Sequence, residues 1–573
     1  FVDDPVRRGE LLTATGASPV IIAGVIATTP TGSRAKSFAS RASYGSFSES
    51  GALGAHDPSF PGPGADGSLG ASGLWSAAAN LGNGIIGAGI IGLPYAIGQA
   101  GFLLGLALIC TMAIVTHYTV TLMIETGRAH AKFSYEALCE HAFGAPGFFA
   151  LTCLQALSAF GACVAYMLIV ADTSVVVLSN CCGSLWWGFS DRTIVVACVS
   201  SLVLLPLSLY RNMAHLEKWS FLSLCSIVAI AVLLIYVLLS GFGGSALGKA
   251  LHYNHSLLGH PNRLHGGSDY NDNNSTTAPG DLQHLLFDVH PRWPSAMGTV
   301  AFAFCCQQYS FFVFGTLHNP TRSRWCRVSA ISTLAALVLS LLLGVAGYLE
   351  FGPAVTLPNV LDNFPPDDTL ANVIRIVLMA TMLLTFPLDF FVVRYTLQRL
   401  VQRLCGCGCG GGGGGDNSGG NSAHSKGLLF TPVITREHME GRGHAGDMSL
   451  TAHFLCTLML WGVCLGTCIA ALSLGGQGQG LALVLQFTGS IGAIFTSFVF
   501  PTATFLMLGD GTGSRRQRDA ERWCPCMPAS YFFGRRCFAL LVLLVGAAAG
   551  IIGTWSTVVD AMAGGSRNGT APL

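Results

Sequence analysis

Runs of about 20 apolar residues recur along this chain, each long enough to cross a hydrocarbon core of about 30 Å as a helix. From Leu74 onward there are about eleven such runs, near residues 74–97, 101–124, 149–179, 193–210, 219–242, 294–317, 328–350, 372–393, 450–474, 481–508 and 537–560. Only 10% of the residues are charged and 51% are hydrophobic, whereas an ordinary soluble domain is about 25% charged. The expected fold is an all-α multi-pass membrane protein with about eleven transmembrane helices.

Orientation follows from the loop charges, because Lys and Arg collect on the cytoplasmic side. With residues 1–73 inside, the inner loops hold Arg128 and Lys132, Arg211 and Lys218, Arg322, Arg324 and Arg327, Arg394 to Arg403, and Arg515 to Arg536. The outer positions keep only Arg192, Lys249, Arg263, Arg292, Arg375 and Arg567. This puts the N-terminus in and the C-terminus out. The sequons at Asn254, Asn273, Asn274 and Asn568 then all fall outside, where they read as glycosylation sites. The formal net charge of +1 gives no electrostatic case for nucleic acid.

The remaining organisation is read from composition. Residues 1–73, rich in Ser, Gly, Ala and Pro, read as a disordered cytoplasmic tail. Residues 74–242 form a first membrane half and 243–293 an external loop. Residues 294–508 form a second half, with a Gly-rich cytoplasmic linker at 394–449. A basic loop at 509–536 and a last span with an external tail at 537–573 follow. The 20 cysteines are scattered, many of them in apolar runs, and do not form a secreted disulfide framework. Cys405, Cys407 and Cys409, and Cys524 with Cys526, lack the paired spacing zinc needs and read as cytosolic thiols or acylation sites.

The first span is unusual. Asn80 to Tyr95, NLGNGIIGAGIIGLPY, carries Gly82, Gly84, Gly87, Gly89, Gly92 and Pro94. In a helix each glycine costs roughly 1 kcal/mol and the proline about 3 kcal/mol relative to alanine. One reading is close helix packing through small residues. The other is an interrupted helix at mid-membrane, whose freed N–H groups face a carboxylate and whose freed carbonyls face a cation. Gly87, Gly89 and Gly92 also have dinucleotide-loop spacing, but no strand precedes them and the unit sits in an apolar run.

Inverted repeats would place a partner interruption five spans later, and span six offers FAFCCQQYS at Phe302 to Ser310. Span eight adds Thr381, Thr385, Pro387 and Asp389. Hydroxyl oxygens suit a hard cation such as sodium, whereas the competing reading is a bond from each threonine back to its own helix. Asp172 in span three and Asp389 in span eight are carboxylates within apolar runs, as proton carriers, cation ligands or helix-to-helix bonds. For Asp389 a pair with Arg394, about one turn away, is the competing reading. No Walker A lysine loop, HExxH or nucleophile elbow is present, so neither an ATP-driven pump nor an enzyme is expected.

On these residues the chain resembles the amino acid/auxin permease superfamily and, within it, the sodium-coupled neutral amino acid transporters of solute carrier family 38. The matching stretches are NLGNGIIGAGIIGLPYAIGQAGFLLG, ADT at 171–173, LPLSLYRNMAHLEKWS, FAFCCQQYSFFVFGTLHNPTRSRW, GYLEFG, TFPLDFFVVR and FTGSIGAIFTSFVFP. The resemblance implies a leucine-transporter-like 5+5 inverted repeat plus one helix, without a cofactor. It implies sodium at Asn83 and a span-eight threonine, Thr385 most directly, with Asn80 matching the motif's other asparagine. Substrate would lie against Gly87, Ala88, Gly89 and Ile90, with Cys306 and Gln307 opposite. The departures are the tail, the cysteine-free 243–293 loop, the Gly-rich insertion, and Gln307 and Gln308 where relatives carry histidine.

The function so implied is sodium-coupled transport of neutral amino acids in the plasma membrane or a vacuolar or lysosomal membrane. Its alternatives are proton coupling through Asp172 or Asp389, and an amino acid sensor that engages a cytoplasmic partner through its tail.

Overall fold

The computed structural model describes residues 73–182, 191–209, 220–240, 282–317, 320–352, 357–404, 450–474, 478–509 and 529–568, all within one compact unit. The tail, Asn254, Asn273 and Asn274, the Gly-rich linker, the two juxtamembrane cysteine clusters and the 510–528 loop lie outside the described residues. So does the side chain of Asn568.

The described elements are all helices. In chain order the helices are α1 (Leu74–Ile85), α2 (Leu93–Ala100), α3 (Phe102–Ala129), α4 (Tyr135–Cys182), α5 (Arg192–Ser208) and α6 (Ser220–Ser240). After the short α7 (Leu282–Phe287) come α8 (Trp293–Ala303), α9 (Gln307–Thr316), α10 (Arg322–Phe351), α11 (Thr369–Leu404), α12 (Leu450–Leu474), α13 (Gln479–Leu508) and α14 (Ala529–Asn568). Eight of the described helical segments are long and apolar enough to cross a membrane, and α1 with α2 makes a ninth if that pair, bent by 52°, is one span. At the expected fourth and fifth spans the described helices, Arg192–Ser208 and Cys225–Ser240, are apolar but shorter.

Unlike in a soluble protein, apolar side chains line the outside as well as the core. Large apolar side chains lie exposed along the outside, among them Ile114, Leu202, Leu239, Met459, Val545 and Trp555. Among its apolar residues the interior also holds Thr116, Gln155, Ser200, Ser295, Ser340, Thr457 and Ser497. Lipid provides the apolar solvent, so polar groups turn inward, where neighbouring helices offer hydrogen bonds. Small residues permit this packing: α8 and α13 approach backbone to backbone at Gly298 and Gly489.

Two groups of helices emerge. α4 packs along α11, while α1 and α2 pack against α10 and α8. At one end of the bundle Glu125 pairs with Arg322 and Arg535, and Glu140 with Arg403. Towards the other end Asp172, buried within α4, pairs with Arg192 at the start of α5 (2.9 Å).

Candidate functional site

Both expected interruptions are present. α1 ends at Ile85, Ile86 and Gly87 leave helical geometry (ψ 76° and −158°), and a tight turn, Ala88–Gly92, leads into α2. Five glycines and a following proline weaken the helical ladder here, so little helix propensity is lost by opening it. α8 ends at Ala303, and the backbone leaves the ladder through Phe304 to Cys306 before α9 begins at Gln307. The freed Phe304 carbonyl accepts a hydrogen bond from Thr116 Oγ1 (3.4 Å).

The two interruptions meet. A Cβ on Gly89 would lie 2.7 Å from Ala303 Cα and 2.8 Å from its nitrogen, so the absence of a side chain brings the backbones together. Ile90 is fully buried and Cys306 nearly so. Gln307, also buried, uses its whole amide as a strut. Its Oε1 accepts from the Cys306 amide (3.0 Å) and Ser497 Oγ (2.6 Å), while its Nε2 donates to Thr119 Oγ1 (3.2 Å) and the Ser497 carbonyl (3.3 Å). Gln307→Leu strands these partners. We expect a loss of about 1–3 kcal/mol in stability, read as a lowered thermal midpoint in detergent even without solute.

Asn83, Gly84 and Gly87 on span one and Cys305, Gln308 and Tyr309 on span six remain partly accessible around the interruptions. Asn83 Oδ1 is sealed from solvent with no hydrogen-bond partner. Thr385 donates back to the Thr381 carbonyl (2.8 Å), and Thr381 donates to the Val377 carbonyl (2.8 Å) and contacts Ser226 of α6 (2.6 Å). Both threonines therefore make the bond to their own helix, and each oxygen keeps lone pairs that can accept from a cation.

Asp389 has a different environment from the expected pair with Arg394. Its carboxylate accepts hydrogen bonds from Tyr166 of α4 (2.9 Å to Oδ2) and from Tyr309 of α9 (to Oδ1). Arg394 instead donates to the Ser208 carbonyl (2.9 Å) and Thr457 Oγ1 (3.1 Å). The cause is geometric: Asp389 faces α4 and α9, while Arg394 faces α5 and α12. The carboxylate cluster adjoins the interrupted span, because the Tyr309 ring covers Gly84 and the Tyr166 hydroxyl faces Gly87. Asp172 is not part of it. Six residues further along α4, roughly 9 Å by helical rise, it is paired with Arg192.

Sequence reasoning missed Tyr166, which sits in an unbroken apolar run, GACVAYMLIV, with nothing to mark it. Tyr309 and Gly84 lay within the singled-out stretches but were given no role. What they do depends on which helices face each other.

The chain is similar in sequence to known membrane transporters. The profile of the family described as "Transmembrane amino acid transporter protein" matches residues 70–258 and 271–549. A zebrafish (Danio rerio) protein named "Putative sodium-coupled neutral amino acid transporter 11" is 28% identical over 84% of this chain and 86% of its own length. "Vacuolar amino acid transporter 2" of Saccharomyces cerevisiae is 25% identical over 85% of this chain and 83% of its own. A manganese transporter from Eremococcus coleocola aligns structurally over 85% of this chain and 94% of its own at TM-score 0.42 and 13% identity, too loose a likeness to argue from. With the family profile spanning most of its length, from the first interrupted helix into the last, the chain belongs to the transmembrane amino acid transporter family.

Proposed function

We propose that this protein is a secondary active transporter that moves neutral amino acids with a cation, binding both between the interrupted first and sixth spans. The observation that carries this reading is the crossing of the two interruptions at Gly89 and Ala303, with the Asp389 carboxylate and its two phenols beside them. Freed backbone groups there match the two ends of an amino acid, N–H for its carboxylate and C=O for its ammonium. The accessible groups, Asn83, Gly84, Gly87, Cys305 and Tyr309, are the contacts we assign to the solute and ion.

The architecture we assign is eleven crossings in two inverted halves plus one helix, N-terminus inside. Transport proceeds by rocking α1, α2, α8, α9 and α10 against the α4–α11 pair. The Tyr309–Asp389 bond joins these two groups and must rearrange in each cycle. The sodium reading is supported by the unpartnered Asn83 oxygen and by the name of the zebrafish relative. The yeast relative's name supports a vacuolar or lysosomal membrane.

A second reading, proton coupling, is favoured by Asp389, a buried carboxylate held by two neutral phenols. Uptake into proteoliposomes under separately imposed sodium and proton gradients distinguishes them. Sodium coupling predicts uptake driven by inward sodium at symmetric pH, and uptake indifferent to sodium overturns it.

A further inference from the structure

The segment between α10 and α11 folds back onto the bundle. Asn359, Val360, Leu361 and Phe364 are buried. The Pro358 carbonyl lies over the end of the span-one interruption, 3.7 Å from where a Cβ of Gly92 would stand. Val360 meets α10 at Gly347, and Leu357 meets the start of α13 at Gly478. Residues 357–364 thus cover one end of the interrupted helix.

A buried arginine holds the segment in place. Arg375 donates to the carbonyls of Leu361 (2.7 Å), Phe364 (3.0 Å) and Pro365 (3.4 Å) and to Asn372 Oδ1 (2.7 Å). Asn180, near the end of α4, donates to the Pro366 carbonyl. In the middle of the seat is Asp362. The residue is partly exposed, yet its Oδ1 is sealed from solvent and has no hydrogen-bond partner. Arg375 Nε, also in the seat, is likewise unpartnered, and the Asn359 amide stands beside the carboxyl as a donor without making a bond of ordinary geometry. The charged groups acting on Asp362 are Asp172 of α4, Arg192 of α5 and Arg375 of α11, and Arg375 is in turn acted on by Asp368.

An ionised carboxylate oxygen sealed without a donor costs far more than a neutral carboxyl in the same place. We propose that Asp362 is a proton-binding site separate from the interrupted-helix site, and that its protonation keeps residues 357–364 seated over the first span.

Asp362 lies between two spans, and its exposed side gives protons a route. Desolvation, reinforced by the Asp172 charge and opposed by Arg375, Asn359 and Arg192, pushes its carboxyl up to about 7. On a released segment in water the same group titrates near 4. The seated form therefore binds the proton more tightly. Seating is firmest below about pH 4, weakens as pH rises, and reaches its floor above about pH 7.

Hydrogen exchange on the full chain in detergent tests this at about pH 5 and pH 7.5 and, for the midpoint, at steps between them, with rates corrected for intrinsic pH dependence. In the wild type, protection of amides 357–364 relative to those of α4 falls several-fold at the higher pH. Asp362→Asn, neutral at both, keeps the segment protected at both. Asp172→Asn removes a neighbouring negative charge and moves the wild-type midpoint to lower pH. Wild-type protection that does not change with pH overturns the proposal, as does an equal change in Asp362→Asn or an unmoved midpoint in Asp172→Asn. No arm measures uptake, so failure here and failure of the transport reading are distinguishable.

Discussion

Gly89→Val is expected to bring amino acid uptake to background and to lower the thermal midpoint, while Gly87→Ala keeps the midpoint and changes only transport. The two glycines stand two residues apart in one interruption but meet different surroundings. At Gly89 a new Cβ collides with the backbone of Ala303, which cannot swing aside as a side chain would. Overpacking of this kind costs about 1–3 kcal/mol, and here it also pries apart the crossing that forms the site. At Gly87 a Cβ would lie 3.5 Å from the Tyr166 hydroxyl, an ordinary contact, so the fold accepts alanine while the wall beside Asp389 grows. Thermal unfolding in detergent with uptake in proteoliposomes separates the outcomes. Near-normal uptake by Gly89→Val would place the solute elsewhere.

Asp389→Asn is expected to lower gradient-driven uptake on the order of 10- to 100-fold, the effect of losing hydrogen bonds to a charged group at about 1.5–3 kcal/mol. Asparagine preserves the shape and an acceptor oxygen for one phenol, so the fold should persist. What disappears is the negative charge between α4, α9 and α11. Tyr309→Phe and Tyr166→Phe remove one donor each and should have smaller effects, with Tyr309→Phe the larger because its bond spans the two moving groups. Uptake at several imposed sodium and pH gradients is the measurement. If Asp389→Asn keeps the wild-type response to pH but loses that to sodium, the carboxylate is a cation ligand. The converse makes it the proton carrier, and an unchanged response to both moves coupling to Asn83 and Thr385.

Much of the architecture was legible because the bilayer restricts the choices. An apolar run of about 20 residues has one economical conformation there, so α3, α4 and α10 to α14 lie where hydropathy puts them. The interruptions were legible for the same reason: glycine and proline in span one, and consecutive polar residues in span six, conflict with a plain helix. Gln307 shows the limit. A polar residue at that depth must be satisfied, but whether by a solute or by Thr119 and Ser497 is not written near it. Asp389 shows it again: Arg394 is near in sequence, but five residues along a helix turn it about 140° away, and facing helices give the carboxylate to Tyr166 and Tyr309.

The sequence by itself determined the all-helical membrane class and the places where two helices open. Those properties follow from local composition, because each segment meets lipid or water largely on its own. Only the tertiary structure decided that the two openings cross at Gly89 and Ala303, that two tyrosines hold Asp389 beside them, and that an unsatisfied Asp362 sits in the segment covering one end. These are pairings between helices up to hundreds of residues apart. Which face of a helix meets which neighbour is settled by packing the whole bundle, and no periodicity within one span encodes it.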